Sequence, residues 1–252
     1  MSSRKLKILI CFLLCLAGIF FYLYISGGLH AIHSKYKNDS IKDNVIYETD
    51  DPLNRKIDFE KLKQINDDVV GWLYVPGTKI DYPILIGDKD NTYLNKDIEK
   101  KYNPLGSIFS YAKIKRDLSD SNIFLFGHNM RQYQMFGELK KYINEDFMKK
   151  HNKFYVYTER KTMELDIVSI FMCNENDNIF STGFEVGTVN YLDYMSSILE
   201  KNKFSDYYLR KDKNLNLVNN QLISLVTCYG EQGTTERLVV SGSVIKEKYI
   251  ID

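Results

Sequence analysis

Cys228, His128 and Arg237 are the residues of this chain whose types and placement point to chemistry. Cys228 closes the apolar stretch "NQLISLVTC" and opens the polar, glycine-containing segment "CYGEQGTTER". Arg237 stands at the start of the next apolar stretch, "RLVVSGSVIK". If 221–228 and 237–245 are neighbouring strands, the connection brings Arg237 back beside Cys228. A guanidinium there favours a thiolate or donates hydrogen bonds to a developing oxyanion. His128 ends the apolar run "IFLFGHNM", where Gly127 and Asn129 stop the strand. A nucleophile, an acid/base and an electrostatic clamp at three strand ends make a workable set for acyl transfer. A free thiol with a pKa of about 8.5 needs such neighbours, because it is mostly protonated at neutral pH.

Each residue also has a plainer reading. Free cysteine is among the most buried residue types, and Cys173 closes "IFMCN" with the same placement as Cys228. A histidine at a strand end can simply be a satisfied polar group. His151, in "MKKHNK", reads as a solvated cation at a helix C-terminus. Glu231 reads as solvated or as an orienting partner for Arg237. A Cys173–Cys228 bridge is open on count alone. The scattered histidines and cysteines have no metal-ligand spacing, and no cofactor is implied.

The elements that must position these residues come next. "GWLYVPG", "DYPILIG", "GSIFSYA" and "SNIFLFGHN" are short apolar runs between Gly, Pro, Asp and Asn, and read as strands. "KFYVYTER" and "TMELDIVSIFMCN" read as a hairpin, and the runs around Cys228 and Arg237 as the last two strands. Asp58 caps a short helix with Phe59, Leu62 and Ile65 on one face. "MFGELKKYINEDFMKKH" reads as one helix, and "NYLDYMSSILEKN" as another with Leu192, Met195, Ile198 and Leu199 on its apolar face. About eight strands with irregularly inserted helices predict a mainly β barrel or sandwich and exclude a doubly wound fold.

The chain has 252 residues, 19 Tyr and 14 Phe, enough to bury a sizeable core. A formal net charge of +1 offers no field for nucleic acid. Arg4, Lys5 and Lys7 precede an uncharged run of 19 residues, 8–26. As a helix it would be about 28 Å long, close to a bilayer core. The run is longer than the apolar part of a cleaved signal peptide and lacks a convincing small-x-small site after it. The reading is a cytoplasmic tail at 1–7, a single-pass anchor at 8–26, a stalk at 27–55 and a catalytic domain at 56–252. The leading cations place the N-terminus in the cytoplasm and the domain outside.

"SLVTC" resembles the T-L-x-T-C signature of sortases, with a histidine after an apolar strand and an arginine shortly after the cysteine. "INDDVVGWLYVPGTKIDYPIL", "DNTYLNKDI", "GSIFSYA", "NIFLFGHNMRQYQMFGELKKY" and the final strand pair resemble class B sortases of Gram-positive bacteria in the same order, over roughly 58–246. Ser224 stands where Thr is usual, Val226 where Ser is frequent, and no acidic residue directly follows Cys228. The resemblance implies an eight-stranded β-barrel with N-terminal helices and an inserted helix near 189–203. It implies a cysteine transpeptidase without cofactor. Cys228 would attack the Thr carbonyl of an N-P-x-T-N or x-P-x-T-G sorting motif, Arg237 would hold the oxyanion, and His128 would protonate the leaving amine. The partners would be sorting-signal-bearing surface proteins, a lipid-linked peptidoglycan precursor supplying the amine, and the membrane. Leu94 and Thr227 would border the substrate, although Leu94 also reads as core and Thr227 as ladder packing. A cysteine peptidase that hands the intermediate to water uses the same residues. A wall-binding scaffold would need Cys228 to be inert.

Overall fold

Eight strands close into a barrel in the order β10-β8-β7-β3-β4-β5-β6-β9. The computed structural model describes residues 3–130, 134–203, 220–230 and 233–250, and Glu231 lies outside them. The barrel strands are β3 (Val69–Tyr74), β4 (Asp81–Leu85), β5 (Ile108–Phe109), β6 (Asn122–Phe126), β7 (Lys153–Tyr157), β8 (Lys161–Asn174), β9 (Leu222–Cys228) and β10 (Glu236–Tyr249). Each overlaps an apolar run expected to be a strand, with β3, β8 and β10 extending beyond theirs. Two neighbouring pairs, β4–β5 and β6–β9, are parallel, and the other paired neighbours are antiparallel. A smaller pair, β1 (Ile46–Tyr47) with β2 (Lys56–Ile57), precedes the barrel and was not foreseen.

The chain divides into two compact units, 1–40 and 41–252. The helix α1 runs from Ser3 to Val45. Its second half carries Lys35, Lys37, Asp39, Lys42 and Asp43. The apolar run read as an anchor is therefore the front of a longer helix with a charged continuation. Among the described residues no helix is long and apolar enough to cross a membrane. This overturns the expected single-pass anchor at 8–26, and with it the cytoplasmic N-terminus and the outward-facing domain.

Within the second unit, α2 (Phe59–Ile65) is capped as expected, the Asp58 carboxylate accepting from the Lys61 N–H. Phe59, Leu62, Trp72, Tyr93 and Tyr157 join one apolar cluster. Beside it, Asp81 accepts two hydrogen bonds from Arg55, at 2.9 and 2.8 Å, and one from Trp72 Nε1 at 2.6 Å. Arg55, just before β2, and Asp81 are 4% and 9% exposed, and Lys42 lies 2.6 Å from the same carboxylate.

The helix α4 (Val189–Glu200) is the expected insertion, capped by Thr188. Its buried face is Tyr191, Tyr194, Met195 and Ile198, which shifts the expected face toward the tyrosines. That face packs with Val168 and Phe171 of β8 and Val226 of β9. The expected single helix at 135–151 is two pieces, a 3-10 turn at Leu139–Ile143 and α3 (Glu145–Lys150). Asn144 separates them because its backbone is extended and its side chain caps α3 through the Phe147 N–H. His151 ends α3, where burial first and then Lys150 and Lys141 lower its pKa. Its ring also packs against Phe147, with centroids 4.6 Å apart, so it is partly covered as well as partly solvated.

Candidate active site

The parallel strands β6 and β9 run in register from Asn122 opposite Leu222 to Phe126 opposite Val226. His128 and Cys228 each lie two residues beyond the last of these pairs. The tie continues past the strands. Gly127 N–H donates to the Val226 carbonyl at 3.2 Å, and the Thr227 hydroxyl donates to the Gly127 carbonyl at 2.8 Å. Asn129 Nδ2 donates to the Cys228 carbonyl at 3.0 Å. The strand ends carrying the histidine and the cysteine are thus held side by side. Thr227 is buried, with its hydroxyl committed to this tie. Asn129 was read only as a strand breaker; its amide following the histidine was the sole signal of more.

Arg237 pairs with Cys228 on one side, as expected, and with Cys173 of β8 on the other. Directly opposed residues on neighbouring antiparallel strands share a face. The three side chains therefore form a row with the arginine in the middle. Two strand spacings set the cysteine Cα atoms about 9–10 Å apart, beyond the roughly 7 Å a disulfide tolerates. Both thiols are free, so the bridge left open by counting is excluded. Burial first, and the Asp177 carboxylate second, push the Cys173 thiol up to about 11. Cys228 is only partly buried, at the mouth of the strand pair.

The Arg237 guanidinium donates to the carbonyls of Thr234 and Glu236, at 2.8 and 3.0 Å, and pairs with the Glu175 carboxylate. No sequence signal singled out Glu175. Its partner lies 62 positions away.

His128 meets a turn in the connection between β4 and β5. Its Nε2 lies 2.8 Å from the Leu94 carbonyl oxygen. A carbonyl only accepts, so Nε2 carries a proton, and in a neutral ring Nδ1 is the bare nitrogen. Leu94 is 37% exposed, and its neighbour Tyr93 is fully buried. The Tyr93 hydroxyl donates to Asp68 at 2.7 Å and accepts from Asn66 at 2.7 Å. Gly106 has φ +59° and packs so closely that a Cβ would overlap the Leu94 carbonyl. Glycine is needed there both for the backbone angle and for the approach.

Among the described residues no group of His, Cys, Asp and Glu side chains gathers as a metal site would require. A cavity of about 420 Å³ is lined by Lys63, Arg116, Arg160, Lys161 and Tyr249, among others. It lies where β8 begins and β10 ends, at the opposite rim from Cys228 and Arg237.

Residues 73–245 match the sequence profile of the Sortase domain. Sortase B of Staphylococcus aureus (strain NCTC 8325 / PS 47) is 32% identical over 191 residues, 75% of this chain and 75% of the relative. Sortase B of Listeria monocytogenes (strain ATCC BAA-679 / EGD-e) is 25% identical over 239 residues, 92% of this chain and 94% of the relative. The X-ray structure of Clostridium perfringens sortase B superposes with a TM-score of 0.67 at 32% identity, covering 75% of this chain and 100% of that one. A Staphylococcus aureus sortase B–substrate complex superposes with a TM-score of 0.66 at 30% identity, covering 75% of this chain and 85% of that one.

Proposed function

The chain belongs to the sortase family, in its class B branch, and is a cysteine transpeptidase that cleaves sorting motifs and attaches proteins to the cell wall; from that premise we propose that Cys228, His128 and Arg237 carry the reaction. The observation that carries this reading is the register, which sets Arg237 opposite Cys228 and the His128 strand end beside it. Residues 56–252 are then the catalytic domain.

In the acylation step, Cys228 Sγ attacks the carbonyl carbon of the motif Thr. Negative charge develops on the carbonyl oxygen, and Arg237 N–H donors stabilise it. The C–N bond breaks, and the leaving amine takes a proton from His128. Because Nε2 is held by the Leu94 carbonyl, the transferred proton sits on Nδ1 of the imidazolium. A thioester remains on Cys228. An amine of a lipid-linked peptidoglycan precursor then attacks the acyl carbon, its proton passes to the now neutral His128, and the Cys228 thiolate leaves. A thioester keeps enough acyl energy for this exchange, so no nucleotide is needed. Leu94, half-exposed beside the histidine, borders the substrate. Motifs of the N-P-x-T-N or x-P-x-T-G type are the substrates, carried on surface proteins.

The test uses fluorogenic peptides of both motif types, with and without an amine acceptor, beside Cys228→Ala. Cleavage after Thr that vanishes in the variant and yields the amide with acceptor is expected. Cleavage that ignores every acceptor would reassign the chain's activity to hydrolysis.

A further inference from the structure

A guanidinium has five N–H donors. In Arg237 two from Nη1 go to the Thr234 and Glu236 carbonyls, and one from Nη2 goes to the Glu175 carboxylate. Glu175 leaves the end of β8 in a turn that is stitched to the segment bearing Arg237. Glu175 N–H donates to the Thr235 carbonyl at 2.8 Å, and Asn174 Nδ2 donates to the Thr235 hydroxyl at 3.0 Å. Asn174 Oδ1 accepts from Asn176 N–H at 3.0 Å, closing the turn. Beyond it, Asp177 pairs with Lys201 at the end of α4, 2.8 Å away. Carboxylate and guanidinium are thus presented to each other from one tied unit.

We propose that Glu175 is the positioning residue of Arg237, holding the guanidinium so that Nε–H and the second Nη2–H serve the oxyanion formed at Cys228. This rests on the role given to Arg237 above. The Glu175 side chain is 40% exposed and that of Arg237 19%. An ion pair that open adds little to stability. Its consequence is orientation, because a free arginine stem carries large rotamer entropy that must be lost before its donors act.

The test uses the full chain with the peptide it cleaves fastest. Glu175→Gln removes the charge at nearly constant shape and is expected to lower kcat about tenfold with KM little changed. Glu175→Asp restores the charge and recovers part of the rate. On an Arg237→Lys background, Glu175→Gln adds no further loss, because it acts through the arginine. An unchanged kcat, a rise in KM alone, or a full additional loss on that background would overturn the proposal. If Arg237→Lys is as active as the unaltered chain, the role of Arg237 fails first, and that outcome is separate. A measurement without substrate covers the remaining case. In ¹⁵N-arginine spectra the Arg237 guanidinium shows hindered rotation that Glu175→Gln releases; identical signals in both proteins would sink the idea.

Discussion

At the scale of single residues, the two barrel cysteines that the sequence leaves alike are both half-buried. Each closes an apolar strand, and each faces Arg237 across a ladder. Burial and Asp177 push the Cys173 thiol up to about 11. If Cys228 is the nucleophile, iodoacetamide at pH 7.5 should modify it faster than Cys173, whose raised pKa disfavours the thiolate. Peptide mapping by mass spectrometry checks both sites, and equal labelling at pH 7.5 would contradict the assignment. Asn129→Ala should lower activity without removing Cys228, because the tie to the Cys228 carbonyl is lost. A net loss of about 0.5–1.5 kcal/mol of stability is expected, read by urea unfolding. Cys228, His128 and Arg237 stand out in the sequence because each ends or starts an apolar run. Glu175 and the Leu94 carbonyl were not. A surface glutamate in a turn has no distinctive pattern, and a backbone carbonyl has no residue type at all.

At the scale of elements, buried polar pairs decide which contacts matter most. Arg55 and Asp81 are both nearly inaccessible, and Trp72 Nε1 shares the same carboxylate. Arg55→Ala should cost less than the about 3–5 kcal/mol of a fully unpaired buried charge, because Lys42 stays 2.6 Å from the Asp81 carboxylate. The double replacement Arg55→Met with Asp81→Leu should cost less than the single one, measured by chemical unfolding. Asp68 gives a pH prediction. Burial pushes its carboxyl up, but the Tyr93 hydroxyl, Lys100 and Arg116 outweigh that and hold it below its ordinary value. A depressed carboxyl contributes stability above its unfolded pKa of about 4 and loses it as pH falls through the folded value. Asp68→Asn should therefore lower stability at pH 7 and flatten its decline below pH 4. Strand existence was legible from short apolar runs between turn residues, and the α2 cap from Asp58. The break at Asn144 was not, because the apolar spacing continues across it while a local side-chain cap interrupts the backbone.

At the scale of the whole molecule, the unit 41–252 carries the closed barrel and both buried clusters. A fragment beginning at Ile41 should unfold in one cooperative transition and retain peptide cleavage, tested by calorimetry and the fluorogenic assay. Cutting instead before Ile46 removes Val45, which is 1% exposed in the core cluster, and should lower the melting temperature. The barrel class was legible in the count and spacing of strands, whereas strand order was not. Parallel pairing of β6 with β9 depends on packing across a hundred intervening residues, which local pattern does not record. That pairing also fixes when the chemistry exists. β10 comes later in the chain than every other barrel strand, yet it sits between β8 and β9. During synthesis the histidine leaves the ribosome about a hundred residues ahead of the cysteine, and the arginine strand follows the cysteine directly. The three groups meet only once that strand is seated, so completion of the barrel and completion of the site are one event.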